Sequence, residues 1–234
     1  MCAKGLLQHP NRTILYLDTK GDFDPAHLHW LLENEFQNEP NSELTASCLR
    51  RIRVVSVPTI DLLTETLVRT RILLACKLEP GCSNGHDQSS GDLSPRMFFE
   101  NMIMIVVDSL ATPFVPYMGP LPQLAKSQLS VVSFELSRIA NVLHCAVLVV
   151  NHSRSSKLAD QKGFTEERRN LGCLGFSWAA VPHKRLVLTL SNERAPNSER
   201  KLHVLIKLSK DANSQIPCPC EDTTFSSCIV KFPS

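Results

Sequence analysis

Four short apolar runs recur along the first two thirds of the chain, and stretches of helical periodicity separate them. The runs are TILYLD (Thr13 to Asp18), IRVVSV (Ile52 to Val57), MIMIVV (Met102 to Val107) and AVLVV (Ala146 to Val150). Apolar runs of this length are typical of strands buried on both faces of a parallel sheet. Such alternation predicts an α/β fold with right-handed crossovers and helices on both faces of the sheet.

Three helices are predicted between these strands. Asp24 and Pro25 supply an N-cap and a first-turn proline for the first helix. The apolar positions at helical spacing are Leu28, Leu31, Leu32 and Phe36, then Ile60, Leu63, Leu67 and Leu74, then Leu129, Val132, Leu136, Ile139 and Leu143. A loop is predicted after the third strand because prolines crowd there, at Pro113, Pro116, Pro120 and Pro122.

The last part of the chain predicts an antiparallel extension. Arg185 to Leu190 and Lys201 to Ser209 are typical of two antiparallel strands, and Cys228 to Phe232 is a candidate third. Residues 80–95 are rich in Gly, Ser, Asn and Asp without periodicity, which predicts a disordered surface insertion. With one linker-like stretch and no internal repeat, we expect a single domain over residues 1–234.

Composition excludes some classes of function. The 234 residues carry a net charge of +2, so no strong global field indicates nucleic acid, although a local basic patch stays possible. The N-terminus is too short and polar for a signal peptide, and no apolar run approaches the ~20 residues of a membrane helix. We therefore expect a soluble intracellular protein without a membrane partner.

The nine cysteines do not suggest a disulfide framework. Cys48, Cys76 and Cys145 lie in apolar periodic segments, which predicts reduced thiols packed as small hydrophobic groups. Cys218 and Cys220 with Cys228 are a weak zinc candidate, because structural zinc usually takes four ligands in paired spacing. Unpaired thiols are the preferred interpretation.

Polar pairs follow the third and fourth strands. Asp108 and Ser109 end the third, and Asn151 and His152 end the fourth. Parallel sheets bind ligands at the carboxyl ends of their strands, so all four are candidate binding residues. The alternative is ordinary turn chemistry, since Asp and Ser favour turns. For His152 a structural role is given equal weight.

Ordered segments of the chain resemble the RecA superfamily, and specifically the eukaryotic Rad-fifty-one paralogues. They are TILYLDTKGDF (13–23), MIMIVVDSLA (102–111), LSRIANVLHCAVLVVNH (136–152) and LGCLGFSWAAVPHKRLVLTL (171–190). The resemblance covers nearly the whole chain apart from residues 80–95, and among the paralogues the D member is the most similar. It implies a RecA-like fold of the P-loop NTPase type, a mostly parallel sheet flanked by helices.

The resemblance also implies a nucleotide site that uses ATP and Mg²⁺. Asp108 matches the Walker B aspartate, which holds magnesium through water, and Ser109 follows it. Asn151 and His152 match the position that senses the terminal phosphate and leads into a DNA-binding loop. The functional interpretation of this pair is a relay between the nucleotide and DNA.

Two features depart from the active ATPases of the family. The sequence contains no GxxxxGK[ST] motif, and the resemblance places Met1 just after it, so we expect the phosphate-loop strand to be absent and an unpaired edge beside the first strand. Lys20 occupies the position of the catalytic glutamate. Because a protonated lysine cannot act as a general base, little or no hydrolysis is expected and no catalytic residue is assigned.

A basic loop follows the fourth strand. Its basic residues are Arg154, Lys157, Lys162, Arg168 and Arg169. The resemblance makes this a single-stranded DNA-binding loop whose binding is weak, sequence-independent and steeply salt-dependent. Three acidic residues lie among the basic ones, and a solvated surface loop is the alternative interpretation.

The leading hypothesis is a nuclear recombinase-paralogue subunit that supports homologous recombination repair within a hetero-oligomer of related paralogues on single-stranded DNA. Two alternatives stay open. One is a DNA-stimulated ATPase whose phosphate loop is lost by truncation. The other is a protein-interaction scaffold with no role on DNA.

Overall fold

The structure, a computed structural model, describes the chain in six stretches. They are residues 2–35, 42–76, 94–152, 173–190, 202–211 and 228–230. By their contacts the residues form two compact units, Met1–His152 and Ser153–Ser234. The single domain over 1–234 stays a prediction, and most of the predicted insertion at 80–95 lies outside the described residues.

The first unit alternates helices and strands. Its first half contains α1 (Cys2–Gln8), β1 (Thr13–Asp18), α2 (Pro25–Glu35), α3 (Ser42–Arg50) and β2 (Ile52–Ser56). Its second half contains α4 (Ile60–Cys76), α5 (Pro95–Glu100), β3 (Met102–Asp108), α6 (Val115–Met118), α7 (Pro122–Asn141) and β4 (Ala146–Val149). The four predicted strands are confirmed to within one residue at each end, and the mostly parallel α/β architecture is confirmed with them.

The proline-rich stretch after β3 is helical, and the prediction of a loop there is wrong. A 3₁₀ turn covers Thr112–Phe114, α6 follows directly, and α7 begins at Pro122. Pro113 and Pro116 lie in the first turns of their elements. A proline in the first turn loses no helical hydrogen bond and has a suitable φ, so closely spaced prolines begin short helices here.

The four strands form one parallel sheet in the order β2-β1-β3-β4. Asp18 pairs in register with Ser56 on one side and with Asp108 on the other. The prediction of an unpaired edge beside the first strand is therefore wrong. The chain passes from β2 over β1 to β3, so β1 is bonded on both sides and β2 and β4 form the edges.

Helices cover both faces of the sheet. One face carries α1, α2 and α3, whose Leu6, Leu32 and Cys48 cluster with Ile14 of β1 and Val106 of β3. Strand neighbours alternate in direction, so the residues beside Ile14 and Val106 point to the opposite face, where they are also buried. Helix α4 packs against α5 and α7. The central strands β1 and β3 are thus largely buried on both faces.

Two of the three cysteines predicted to be packed in apolar segments are buried. Cys48 and Cys145 are buried reduced thiols, which confirms the prediction for them. Cys76 is exposed, so the prediction is wrong there. It is the last residue of α4, and the last buried position of that helix is Leu74.

The second unit contains the predicted antiparallel extension. A short helix, α8 (Gly175–Ala179), precedes β5 (Lys184–Leu190), which pairs antiparallel with β6 (Leu202–Asp211). Strand β7 (Cys228–Val230) pairs with the other side of β6. Among all the residues described, no helix has the length and apolar character needed to cross a bilayer.

Candidate functional site

The carboxylate of Asp18 organises the loop that follows β1. Its Oδ1 accepts backbone N–H bonds from Lys20, Gly21 and Asp22 at 3.0, 2.8 and 3.3 Å, and its Oδ2 accepts one from Phe23 at 3.0 Å. Burial works to raise the pKa of Asp18, but these four bonds outweigh it and hold the pKa below its ordinary value. The loop is therefore built around an ionised carboxylate.

Gly21 permits this loop conformation. Its φ is +77°, in the left-handed region that residues with a Cβ rarely adopt. No atom lies within 4 Å of the position that a Cβ would take, so the requirement is conformational and not one of space. The turn brings the side chain of Lys20 back toward the end of β3.

Asp108, at the end of β3, lies beside this loop. Its Oδ2 accepts a hydrogen bond of 2.7 Å from the hydroxyl of Tyr16. Its Oδ1 is buried and has no hydrogen-bond partner, and the ammonium of Lys20 lies 3.9 Å from it. Burial, followed by the bond to Asp108, raises the pKa of Tyr16 well above its ordinary value, so the tyrosine is a donor at neutral pH.

Ser109 connects the ends of three strands. Its backbone N–H donates to Thr19 Oγ1 at 2.8 Å, and the Thr19 hydroxyl donates back to the Ser109 carbonyl at 2.9 Å. Its own hydroxyl lies 2.9 Å from His152 Nε2 and 2.7 Å from Thr112 Oγ1. Ser109 is fully buried, and its hydrogen bonds join β1, β3 and the end of β4.

The end of β4 is also fixed to β3 by the backbone. The Leu110 N–H donates to the Val150 carbonyl at 3.0 Å, and the Val150 N–H donates to the Val107 carbonyl at 2.9 Å. Asn151 Oδ1 accepts a hydrogen bond of 2.9 Å from the backbone N–H of His152, which constrains the backbone directly after β4. A displacement at Asn151 or His152 would therefore act directly on the segment around Ser109.

These residues form one group, which we call the strand-end cluster. It comprises Asp18, Thr19, Lys20, Asp108, Ser109, Asn151 and His152. The four predicted binding residues, Asp108, Ser109, Asn151 and His152, all lie at this edge of the sheet. Their binding role stays a prediction.

Other predicted residues fall outside the part of the chain that the structure describes. They are the basic loop residues Arg154, Lys157, Lys162, Arg168 and Arg169, and the thiols Cys218 and Cys220. Their roles stay predictions. In the described stretches, no group of three or more His, Cys, Asp or Glu side chains could hold a metal ion.

Three members of the hydrogen-bond network, Tyr16, Thr19 and Thr112, were not predicted from the sequence. Tyr16 carried a usable signal, because it is the one aromatic hydroxyl in an apolar strand and lies two residues before Asp18, on the same face. Thr19 and Thr112 carried none, since threonine is ordinary in turns. Only the register of β1 with β3 brings Thr19 to Ser109.

The carboxylate oxygens of Asp18 and Asp108 are not arranged to bind a Mg²⁺ ion directly. Magnesium prefers six oxygen ligands at about 2.0–2.1 Å. Both oxygens of Asp18 accept backbone N–H bonds, and Asp108 Oδ2 accepts the Tyr16 hydroxyl. The remaining oxygen, Asp108 Oδ1, is buried beside the ammonium of Lys20.

The chain is similar in sequence to known DNA repair proteins. No family model matches the chain. It is 26% identical over 221 residues to the DNA repair protein RAD51 homolog 4 of Bos taurus, covering 94% of this chain and 56% of that protein. The mouse protein of the same name is 27% identical over 192 residues, covering 82% of this chain and 50% of that protein.

A third relative comes from a distant organism. A protein of Dictyostelium discoideum named as a probable DNA repair protein RAD51 homolog 4 is 21% identical over 230 residues, covering 87% of this chain and 58% of that protein. The chain thus spans about half the length of the curated relatives it matches. The similarity supports a relationship to the RAD51 paralogues.

Proposed function

We propose that this chain is a recombinase-paralogue subunit that supports DNA repair by homologous recombination, working with related paralogues on single-stranded DNA in the nucleus. Kinship with the D member is part of this proposal. The main support for the proposed function is that the strand-end cluster lies at the carboxyl edge of a parallel sheet, where sheets of this kind commonly bind ligands. Similarity along 94% of the chain to a protein named for DNA repair adds to it.

The hydrogen bonds of Ser109 suggest how the subunit works. One side of Ser109 contacts Thr19 at the end of β1, and the other contacts His152, which leads into the basic loop. A change at the loop can reach Ser109 through one hydrogen bond and Thr19 at the end of β1 through the next. Asn151 and His152 are therefore proposed as the relay between DNA and the nucleotide edge.

This chain by itself is proposed to bind ATP poorly and to hydrolyse little or none. The sequence contains no GxxxxGK[ST], and Lys20 stands where the resemblance expects a catalytic glutamate. By the same resemblance, nucleotide and Mg²⁺ lie between neighbouring subunits. The chain would then contribute its strand-end cluster to a site whose phosphate-binding groups come from a partner.

Co-purification from cells tests the assembly. The tagged chain is captured and its partners are identified by mass spectrometry, with a Ser109→Lys variant as the control, since a charged side chain cannot be placed at this fully buried position. Recovery of recombinase paralogues by the unchanged chain alone supports the proposal. Recovery of chaperones only, or of proteins unrelated to recombination, contradicts it.

Calorimetry tests the nucleotide part. The purified chain is titrated with ATP in the presence of Mg²⁺, and binding is expected to be weak or undetectable. Tight binding by the isolated chain would overturn this part of the proposal.

A further inference from the structure

Lys20 is held in place by two acidic side chains. Its ammonium lies 2.8 Å from Asp22 Oδ2 and 3.9 Å from Asp108 Oδ1. The side chain of Lys20 is only 26% exposed, although it lies in a surface loop, whereas that of Asp22 is 65% exposed. The Lys20 ammonium therefore lies between the exposed carboxylate of Asp22 and the buried oxygen at the end of β3.

Asp108 needs a positive partner on that side. Its Oδ1 is shielded from solvent and accepts no hydrogen bond, while its Oδ2 is occupied by the Tyr16 hydroxyl. A buried carboxylate oxygen without water or a donor is unfavourable unless a cation lies close by. Among the residues that the structure describes, the cationic group paired with this carboxylate is the ammonium of Lys20.

A divalent ion and the ammonium would compete for the same oxygen. A magnesium ion bound to Oδ1 at about 2.1 Å would lie within roughly 6 Å of the Lys20 nitrogen, and the two cations would repel each other. A hydrated ion reaches the shielded oxygen only by displacing the side chains that cover it. Two cations are therefore not expected to share Oδ1.

We infer that Lys20 acts as a tethered cation that takes the place of a divalent metal at Asp108. The strand-end cluster is then charge-balanced without metal, and Lys20 holds the loop after β1 against the end of β3. A lysine at this position would thus remove a general base and also supply a metal substitute. The inference rests on the proposed function only for placing Asp108 at the nucleotide edge.

Thermal unfolding of the full chain with and without millimolar MgCl₂ tests the inference. The unchanged chain is expected to have the same Tm in both conditions. Lys20→Met is expected to unfold several degrees lower, and MgCl₂ is expected to recover most of that loss by neutralising Asp108. In the double variant Lys20→Met with Asp108→Asn the response to MgCl₂ should disappear.

Two control variants isolate the role of the charge. Lys20→Arg keeps a cation and should keep the insensitivity to MgCl₂. Asp22→Asn removes only the exposed partner of Lys20 and should likewise leave the Tm unresponsive. A Tm of the unchanged chain that rises with MgCl₂ and loses this rise in Asp108→Asn would overturn the inference, as would a Lys20→Met variant indifferent to the ion.

A second measurement covers the case in which Lys20→Met does not fold. Paramagnetic broadening by Mn²⁺ is then recorded by NMR on the unchanged chain and on Asp108→Asn. Equal broadening in both supports the inference, and broadening that depends on Asp108 contradicts it. Neither measurement needs DNA, ATP or partners. A failure of the inference about Lys20 is therefore distinguishable from a failure of the proposed function, which the co-purification tests.

Discussion

Asp18 is the residue on which the loop after β1 depends. Replacing it with Asn leaves one acceptor oxygen for four backbone N–H groups and removes the charge that strengthens those bonds. Hydrogen bonds to charged groups are worth about 1.5–3 kcal/mol, so we expect Asp18→Asn to lower the free energy of unfolding by about 2 kcal/mol. Urea denaturation measures the loss. The exposed Asp22→Asn is the matched control and should change little.

The same residue predicts a pH dependence. The pKa of Asp18 is lower in the folded chain than its ordinary value of about 3.9, so the unfolded state binds the proton first as pH falls. The stabilisation is complete above the ordinary pKa and is lost as pH falls through the folded pKa. Denaturation between neutral pH and strongly acidic pH should show this loss, and Asp18→Asn should flatten it. An equally steep loss in the variant would contradict the assignment.

At the scale of elements, α4 and α7 are joined by a partly buried ion pair. Arg71 Nε donates to Glu135 Oε2 at 2.6 Å, and the Glu135 side chain is 8% exposed. Breaking such a pair from one side leaves a buried charge, which is strongly destabilising. We expect Arg71→Met and Glu135→Leu each to destabilise the chain, and the double variant to lose much less than the two losses added together.

A double-mutant cycle measures this coupling, which should be about 1–3 kcal/mol. The exposed pair Arg69 and Glu65 on α4 serves as the control, with 74% and 52% exposed side chains. Its coupling should fall below about 0.5 kcal/mol, as is usual for surface pairs on one helix. Equal coupling in the two pairs would contradict the account.

The four strands of the first unit and the helices α2, α4 and α7 followed from periodicity, but the shorter helices and the lateral arrangement of the strands did not. Apolar runs predicted β1 to β4 because burial on both faces leaves a strong local pattern. The position of β1 inside the sheet depends on which strands pair, and pairing is a long-range property without a local signal. Arg51 illustrates this, since its guanidinium donates to the carbonyls of Leu6, His9 and Arg12, which lie 45, 42 and 39 positions away in the sequence.

The residues of the candidate site also fall into those that the sequence predicts and those whose contacts depend on long-range pairing. Asp108 and His152 could be predicted because polar residues at the ends of apolar strands are visible in the sequence. The contacts of Ser109 with Thr19 and His152 could not, because they join residues 90 and 43 positions apart. The approach of the Lys20 ammonium to Asp108 could not be predicted either, since it depends on the turn that Asp18 and Gly21 impose.

At the scale of the whole molecule, the small net charge limits how the chain could bind DNA. The net charge is only +2, so any affinity for a phosphate backbone must come from a local concentration of basic residues. Residues 153–169 hold five basic and three acidic side chains. If this segment contacts single-stranded DNA, the salt dependence of binding should report it, because each phosphate contact contributes about 0.7 to the slope of log K against log salt.

We therefore predict that alanine at the five basic positions of this segment weakens binding of the paralogue complex to single-stranded DNA and flattens its salt slope. The positions are Arg154, Lys157, Lys162, Arg168 and Arg169. Fluorescence anisotropy at several salt concentrations measures both quantities. A control variant removes the same charge from five exposed positions of the first unit, Lys4, Arg12, Arg50, Arg69 and Lys126. A loss of affinity equal to that of the control would mean that net charge acts and the segment does not, whereas a selective loss with a flatter slope assigns the contact to residues 153–169.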